Sequence, residues 1–294
     1  MFKVLKGGIM ATVQDLGRPG FTSQGVPVCG AFDAFSLKAG NYLLRNHLGE
    51  AGIEVLFSGF QIQVLSEMAV AITGGDLSPE VNGSPVDMWR AIRLTRGDVL
   101  HFTGLKSGCR SYIVFAGGIA LPEVLGSKST FLRGKMGGVQ GRILKEGDIL
   151  HLGYNGIPIS QIEGRHAKSP LVRNFADTAN IRVIKGLEDF LFTEESVELF
   201  FSAKWKVSTK ADRMGVCLNG PQLAFKPREN ARSKEGGSDP SHILTDCMPL
   251  GAIQVVSGRE PIVMGVDGPA SGGYAKIGTV LSCDLSLVAQ LITG

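Results

Sequence analysis

No stretch of this chain approaches 18 consecutive apolar residues, so no helical membrane span is expected. The opening MFKVLKGGIMATVQ has no long apolar core of the kind a secretory signal carries. Cysteine is sparse: Cys29, Cys109, Cys217, Cys247 and Cys283 show no CxxC spacing, which argues against a thiolate metal centre or a disulfide framework. Together these absences point to a reduced, cytoplasmic protein. Neither sign of charge dominates. Thirty Lys and Arg against 27 Asp and Glu leave a net charge of +3, too little to imply nucleic acid or a membrane surface as a partner. Several catalytic signatures are missing as well. There is no HExxH, no clustered His and Cys set and no GxSxG elbow, and GSKS at 126–129 lacks the glycine scaffold of a phosphate loop. Lys135 and Met136 do not form the Met-Lys-Met to which biotin is attached.

What the chain has is glycine, 40 residues of it, with 13 prolines, punctuating short apolar runs over 294 residues. A hydrophobic fraction of 44% supports a substantial core. The pattern predicts a mainly β protein with a few short helices. FQIQV at 60–64 alternates as a half-buried strand must, whereas MAVAIT at 68–73 and SYIVFA at 111–116 are continuous apolar runs suited to strands covered on both faces. GDVLHF at 97–102 and GDILHL at 147–152 are one turn-plus-strand unit written twice, so His101 and His151 belong to a strand pattern rather than to a metal site. Helices are expected at 33–46 behind an Asp33 N-cap, at 193–201 behind Thr193, and at 284–292. The sequence turns polar and loses its period between Gly153 and Asn180, which places a domain boundary near 175 and halves at 1–175 and 176–294. The irregular stretch 226–242 is long enough for a lid and equally compatible with disorder.

Four polar clusters sit beside glycines. TVQDLGRPG carries Gln14, Asp15 and Arg18, GVPVCGAFD ends on Asp33, KADRMG carries Asp212 and Arg213, and SGGYAKIGTV carries Gly272, Gly273, Tyr274 and Lys276. These are the ingredients of a site for a small anionic or amide-bearing molecule. An arginine can grip a carboxylate through two nitrogens, a glutamine can read a carbonyl and an N–H, and glycine lets backbone approach a ligand closely. Lys276 could steady a developing oxyanion, and Asp15 or Asp33 could serve as a base. Arg18 lies between Gly17 and Pro19, where the turn fixes the backbone and leaves the side chain free to point at a ligand. The alternative for each cluster is that an aspartate beside a tight turn simply braces it.

The ordered set TVQDLGRPG, GVPVCGAFD, AITGGDL, AGGI with LGSKSTFLRGKMGGVQGR, DRMGVCLNGP, GAIQV and SGGYAKIGTV resembles the biotin-dependent carboxyltransferase family, which includes allophanate hydrolase subunit 2, the KipI antagonist and the C component of 5-oxoprolinase. The resemblance implies two cyclophilin-like β-barrel halves. It also implies one component of an ATP-dependent 5-oxoprolinase, which opens 5-oxoproline to L-glutamate with a KipI-like partner and a LamB/YcsF-like partner and has ATP through that hetero-oligomeric complex. The alternatives it leaves are carboxyl transfer from biotin on a partner to urea or a similar amide, and a regulator that only binds a KipI-like partner. A chain without the fused modules of urea carboxylases fits the 5-oxoprolinase reading better than carboxyl transfer. The resemblance carries catalytic roles to Asp15, Asp212 and Lys276, and substrate-binding roles to Gln14, Arg18, Asp33, Arg213, Gly272, Gly273 and Tyr274. Departures from the family pattern fall at Ala211, Ser271 and Ala275, and more heavily at TDCMPL, 245–250, where a glutamate-glycine pair is usual.

Overall fold

The computed structural model describes residues 1–227 and 239–293, so most of the irregular stretch 226–242 lies outside the described residues. The chain divides into two compact units. Unit 1 comprises residues 1–18, 29–179 and 289–291, and unit 2 comprises 19–28, 180–288 and 292–294. In unit 1 the elements run β1 (Phe2–Gly7), β2 (Met10–Gln14), α1 (Ala34–Leu43), β3 (Gly52–Leu56), β4 (Phe60–Val64), β5 (Met68–Asp76), β6 (Pro79–Val81), β7 (Ser84–Pro85), β8 (Ala91–Leu94), β9 (Val99–Phe102), β10 (Ser107–Phe115) and β11 (Ile149–Leu150). They form a six-stranded sheet, β11-β1-β4-β9-β6-β7, and a five-stranded sheet, β2-β3-β10-β5-β8.

One core lies between these sheets. Phe2, Val4, Phe60, Ile62, Val64, Leu100 and Phe102 come from the first sheet, and Val13, Ile53, Val55, Val70, Ile72, Ile113 and Phe115 from the second. The alternation of FQIQV buries Phe60, Ile62 and Val64 and leaves Gln61 and Gln63 partly exposed. The continuous runs of β5 and β10 have a different cause: their second face is covered by α1, where Leu37 and Leu43 pack on Ala69, Ala71, Tyr112 and Val114. The written-twice unit is a structural repeat. The N–H of Gly97 donates to the Val64 carbonyl (2.8 Å) and that of Gly147 to Val4 (2.9 Å), while Val64 and Val4 return N–H bonds to Asp98 and Asp148, both at 2.8 Å. The two copies thus dock on neighbouring strands of one sheet by the same exchange. The mainly β expectation holds; in place of the implied barrels, the described sheets are open, each ending at edge strands.

Unit 2 contains β12 (Val183–Lys185), α2 (Glu194–Ser202), β13 (Lys206–Val207), β14 (Gly215–Asn219), β15 (His242–Cys247), β16 (Ala252–Val256), β17 (Glu260–Met264), β18 (Ser271–Tyr274), β19 (Lys276–Val280) and α3 (Leu285–Gln290), whose last two residues fall in unit 1. Its main sheet runs β12-β19-β16-β17-β14-β13, and β15 with β18 makes a separate two-stranded ribbon. Thr193 caps α2 by accepting the Ser196 N–H at 3.2 Å, with Glu194 and Glu195 in the first turn where the helix dipole favours them. Among the described residues no helix is long and apolar enough to cross a membrane.

A buried polar network ties unit 1 together beneath α1. Asp33 caps that helix, its Oδ1 accepting the Ser36 N–H at 3.0 Å and its Oδ2 the Ser36 hydroxyl at 2.6 Å. Tyr112 receives the Asp33 N–H at 2.8 Å and donates to Glu54 at 2.6 Å. Burial above all, and then the two carboxylates, push the Tyr112 phenol well above its ordinary pKa, so it stays a donor. Gln290 closes the network. Its amide nitrogen donates to Asp33 (2.8 Å) and to the Arg110 carbonyl (2.9 Å), and its oxygen accepts the N–H groups of Cys109 (3.1 Å) and Arg110 (2.9 Å). Replacing Gln290 with Ala strands two main-chain donors and part of a buried carboxylate. The expected cost is about 2–4 kcal/mol in urea unfolding, whereas a loss of only a few tenths would show the network to be dispensable.

Candidate functional site

In unit 1 the strand β2 ends at Gln14, and the chain then turns through Asp15 and Gly17 to Arg18. Each of these polar side chains meets one loop, residues 124–141. Asp15 is 8% exposed and fully engaged: Oδ1 accepts the Gly17 N–H and the Ser127 hydroxyl, both at 2.7 Å, and Oδ2 accepts the Lys128 N–H at 2.6 Å. Thr130 pairs back to β2 through its N–H, 2.9 Å from the Val13 carbonyl. Residues 127–130 of the loop are thereby bound to the turn and to the end of β2.

Arg18 is the largest fully buried side chain of the described residues, with no exposed surface. The loop leaves none of it on the surface, contrary to the free side chain that its Gly-Pro neighbours predict. The guanidinium is held by main-chain carbonyls, Nη2 on Ser129 and Nε on Val124 at 3.4 Å. Gly137 is obligatory here: it has φ of +66°, and a Cβ would lie 2.8 Å from Arg18 Nη2 and closer still to the Ser129 carbonyl. Gln14, also fully buried, donates from Nε2 to Thr12 Oγ1 (3.0 Å) and to the Thr130 carbonyl (3.1 Å). A carbonyl only accepts, so this contact fixes the amide orientation and leaves Oε1 as the other end. Two buried atoms of this niche remain without a partner among the described residues, Gln14 Oε1 and Arg18 Nη1. Their neighbouring groups are anchored on consecutive residues, Thr130 and Ser129. One acceptor and one cationic donor are thus left over on two side chains that the same loop holds.

In unit 2 the Asp212 Oδ1 accepts the N–H groups of Met214 (2.7 Å) and Gly215 (3.2 Å), which is a turn brace. Arg213 makes a buried fork with Asp267, Nε to Oδ2 at 2.9 Å and Nη2 to Oδ1 at 3.0 Å. Tyr274 meets the His242 ring edge-on at 5.1 Å between centroids. Lys276, on β19, is buried; its Nζ bonds Asp246 and the Cys247 carbonyl (3.3 Å) and lies 3.5 Å from Glu188, whose other oxygen accepts the Lys276 N–H at 3.2 Å. The bond from Lys276 holds the Asp246 carboxyl below its ordinary pKa.

Of the residues the sequence singles out, the structure brings Gln14, Asp15 and Arg18 together under one loop, and Lys276 beside Gly272 through Asp246, the register partner of Gly272. Asp33 is committed to the network under α1, and the geometry of Asp15 and Asp212 fits the bracing alternative. The sequence does not single out Glu188, Asp246 or Gln254, although Gln254 lies within GAIQV. Asp246 does fall in TDCMPL, where the sequence departs from the family pattern in charge. Glu188 gives no local signal, because its partner lies 88 residues away.

The sequence pattern of the carboxyltransferase domain, subdomain A and B, matches residues 24–294. The chain belongs to that carboxyltransferase family. It is 36% identical to the urea amidolyase of Lachancea kluyveri over all of this chain and 16% of that protein, and 32% identical to the C component of 5-oxoprolinase from Haemophilus influenzae over all of this chain and 89% of that protein. Among solved structures, the K. lactis urea amidolyase superposes with a TM-score of 0.91 at 35% identity, covering 100% of this chain and 18% of that one. The protein TTHA0988 superposes with a TM-score of 0.86 at 28% identity, covering 100% of this chain and 54% of that one. The chain thus spans a small fraction of the urea amidolyases it resembles.

The burial of Arg18 makes its replacement a stability test. Arg18→Lys keeps the charge but cannot reach both carbonyls, and it should cost about 2–4 kcal/mol of unfolding free energy, the scale of losing charge-assisted bonds in a buried site. A urea midpoint unchanged from the parent would show that the loop does not depend on the guanidinium.

Proposed function

We propose that this chain is the C component of an ATP-dependent 5-oxoprolinase, acting with a KipI-like partner and a LamB/YcsF-like partner to open 5-oxoproline to L-glutamate. The observation that carries this reading is the pair of unpartnered buried atoms, Gln14 Oε1 and Arg18 Nη1. A lactam presents its N–H and its C=O on the same edge, because the ring enforces a cis amide. Gln14 would accept the N–H and Arg18 would donate to the carbonyl oxygen. Both groups are oriented by the main chain before the ligand arrives, and because neither has exposed surface the ligand can enter only when the covering loop shifts. Donation from a buried guanidinium draws electron density toward the lactam oxygen, which makes the carbon more open to attack by water. The similarity to the C component of the Haemophilus influenzae 5-oxoprolinase along 89% of its length supports the same assignment.

ATP, held by the complex, supplies the free energy for opening a resonance-stabilised lactam. The GSKS stretch of this chain does not fit a phosphate: the Lys128 N–H and the Ser127 hydroxyl are turned onto Asp15, and Lys128 Nζ lies 3.5 Å from Glu50. In this reading the nucleotide is held by the complex elsewhere than at this stretch. A second reading, carboxyl transfer from biotin on a partner to urea, draws support from the urea amidolyase similarity, and urea offers Gln14 and Arg18 the same edge of N–H and C=O.

The two separate on assay of the chain assembled with its KipI-like and LamB/YcsF-like partners. The first predicts 5-oxoproline-dependent ATP hydrolysis that the chain alone does not show. It also predicts that Gln14→Met, which keeps length but removes the acceptor, lowers kcat/KM for 5-oxoproline about 10- to 100-fold, the range for an unpaired polar contact, with folding verified by the urea midpoint. Activity that requires urea and a biotinylated partner would establish the second reading. An assembled complex inert to both substrates would contradict each.

A further inference from the structure

Lys276 is neutralised twice, by two carboxylates that differ in how they are held. Glu188 has 14% of its side chain exposed and grips Lys276 at both ends, the main-chain N–H at 3.2 Å and Nζ at 3.5 Å. Asp246 has 42% of its side chain exposed, against 6% for Lys276. It belongs to the two-stranded β15–β18 ribbon, whose register slips between His242 and Asp246. One carboxylate is built into the unit, and the other reaches in from a surface ribbon. Rotating Asp246 outward would rehydrate its carboxylate but leave the buried ammonium short of a partner, a place that another anion can take over.

The surroundings of that ammonium specify more than charge. In the β16–β19 pairing Gln254 stands opposite Lys276, so the two side chains share a face of the sheet. Gln254 Oε1 is buried and has no partner among the described residues. Gly272, opposite Asp246 in the ribbon, would place a Cβ 2.6 Å from Met248 Cε and 3.2 Å from Gln254 Oε1. A cation and an acceptor thus lie beside a glycine against which the Met248 thioether packs. We propose that Lys276 binds the carboxylate of a small α-amido acid, a molecule with an N–H one carbon from its carboxylate, and that Asp246 holds that carboxylate position as an internal competitor while Gln254 accepts the ligand N–H. Exchange of Asp246 for the ligand carboxylate leaves two negative charges on the ammonium, as before, so the local charge balance is preserved. Glu188 is a positioning residue that keeps Lys276 directed at the exchange point.

The test follows protection of Lys276 from a succinimidyl ester, read by peptide mass spectrometry on the full chain, with acetate, N-acetylglycine, 5-oxoproline and 2-pyrrolidinone as probes. Each variant is compared with its own unprotected rate, and its urea midpoint is measured. Asp246→Asn should protect Lys276 at about tenfold lower N-acetylglycine, as expected when a competitor occupying the place nine-tenths of the time is removed. Glu188→Gln should give no such gain. N-acetylglycine should protect better than acetate in the parent but not in Gln254→Leu, and 2-pyrrolidinone, which has no carboxylate, should not protect. Unchanged or weaker protection in Asp246→Asn would overturn the proposal, as would equal protection by 2-pyrrolidinone. Protection by N-acetylglycine without protection by 5-oxoproline would support the carboxylate site and exclude 5-oxoproline as its ligand, a result separate from the Gln14 and Arg18 reading.

Discussion

A guanidinium with no exposed surface has to be satisfied by the protein around it, and Arg18 sets that demand in unit 1. Its partners are main-chain carbonyls of Val124 and Ser129, far along the chain, so the loop 124–141 can take only a path that brings those carbonyls to it. Asp15 fixes the same loop through Ser127 and Lys128, and Thr130 pairs to β2. Gly137 follows from the demand, since any side chain there would overlap the guanidinium and its acceptor. One buried charge therefore accounts for the turn, the course of the loop and a glycine far along the chain. The cost of burying it is offset only if its donors are used, which makes the unpartnered Nη1 the atom of interest.

The strands were legible because their burial follows period. FQIQV alternates and lies with one face on the core, and the continuous runs in β5 and β10 are covered by the opposite sheet and by α1. Helix starts were legible because Asp33 and Thr193 cap by local bonds to residues three positions on. The repeat of Gly-Asp before β9 and β11 was legible because both copies solve the same docking problem. Open sheets rather than closed barrels were not, since closure depends on which edge strands meet, and strands as short as β7 and β11 carry no periodic signal.

The site was legible in part. Glycines and polar side chains close in sequence marked Gln14, Asp15 and Arg18, and marked Lys276 with Gly272. Their roles were not legible, because a role depends on what fills the other end of each side chain. Asp15 and Asp212 are spent on turn N–H groups, and Asp33 on a helix cap and on Gln290, a partner 257 residues distant. Arg18, flanked by glycine and proline, reads as exposed until the loop that covers it is placed. Glu188 and Asp246 face Lys276 across long separations and could be assigned only by the fold. Unit 2 shows the same physics with a different outcome, since its buried lysine is met by two carboxylates as well as by the Cys247 carbonyl, and one of those carboxylates is part-exposed.

Recognition of a cis amide edge by a buried guanidinium and a buried amide oxygen is tested most directly by infrared spectroscopy. The measurement is the isotope-edited difference spectrum of 5-oxoproline labelled with 13C at the lactam carbonyl, bound to the chain assembled with the partners proposed for it. Donation from Arg18 predicts a lactam C=O stretch at lower wavenumber than in water. A bound carbonyl stretch at or above the solution value would contradict the account, because the oxygen would then be in an environment no better than water at stabilising its charge.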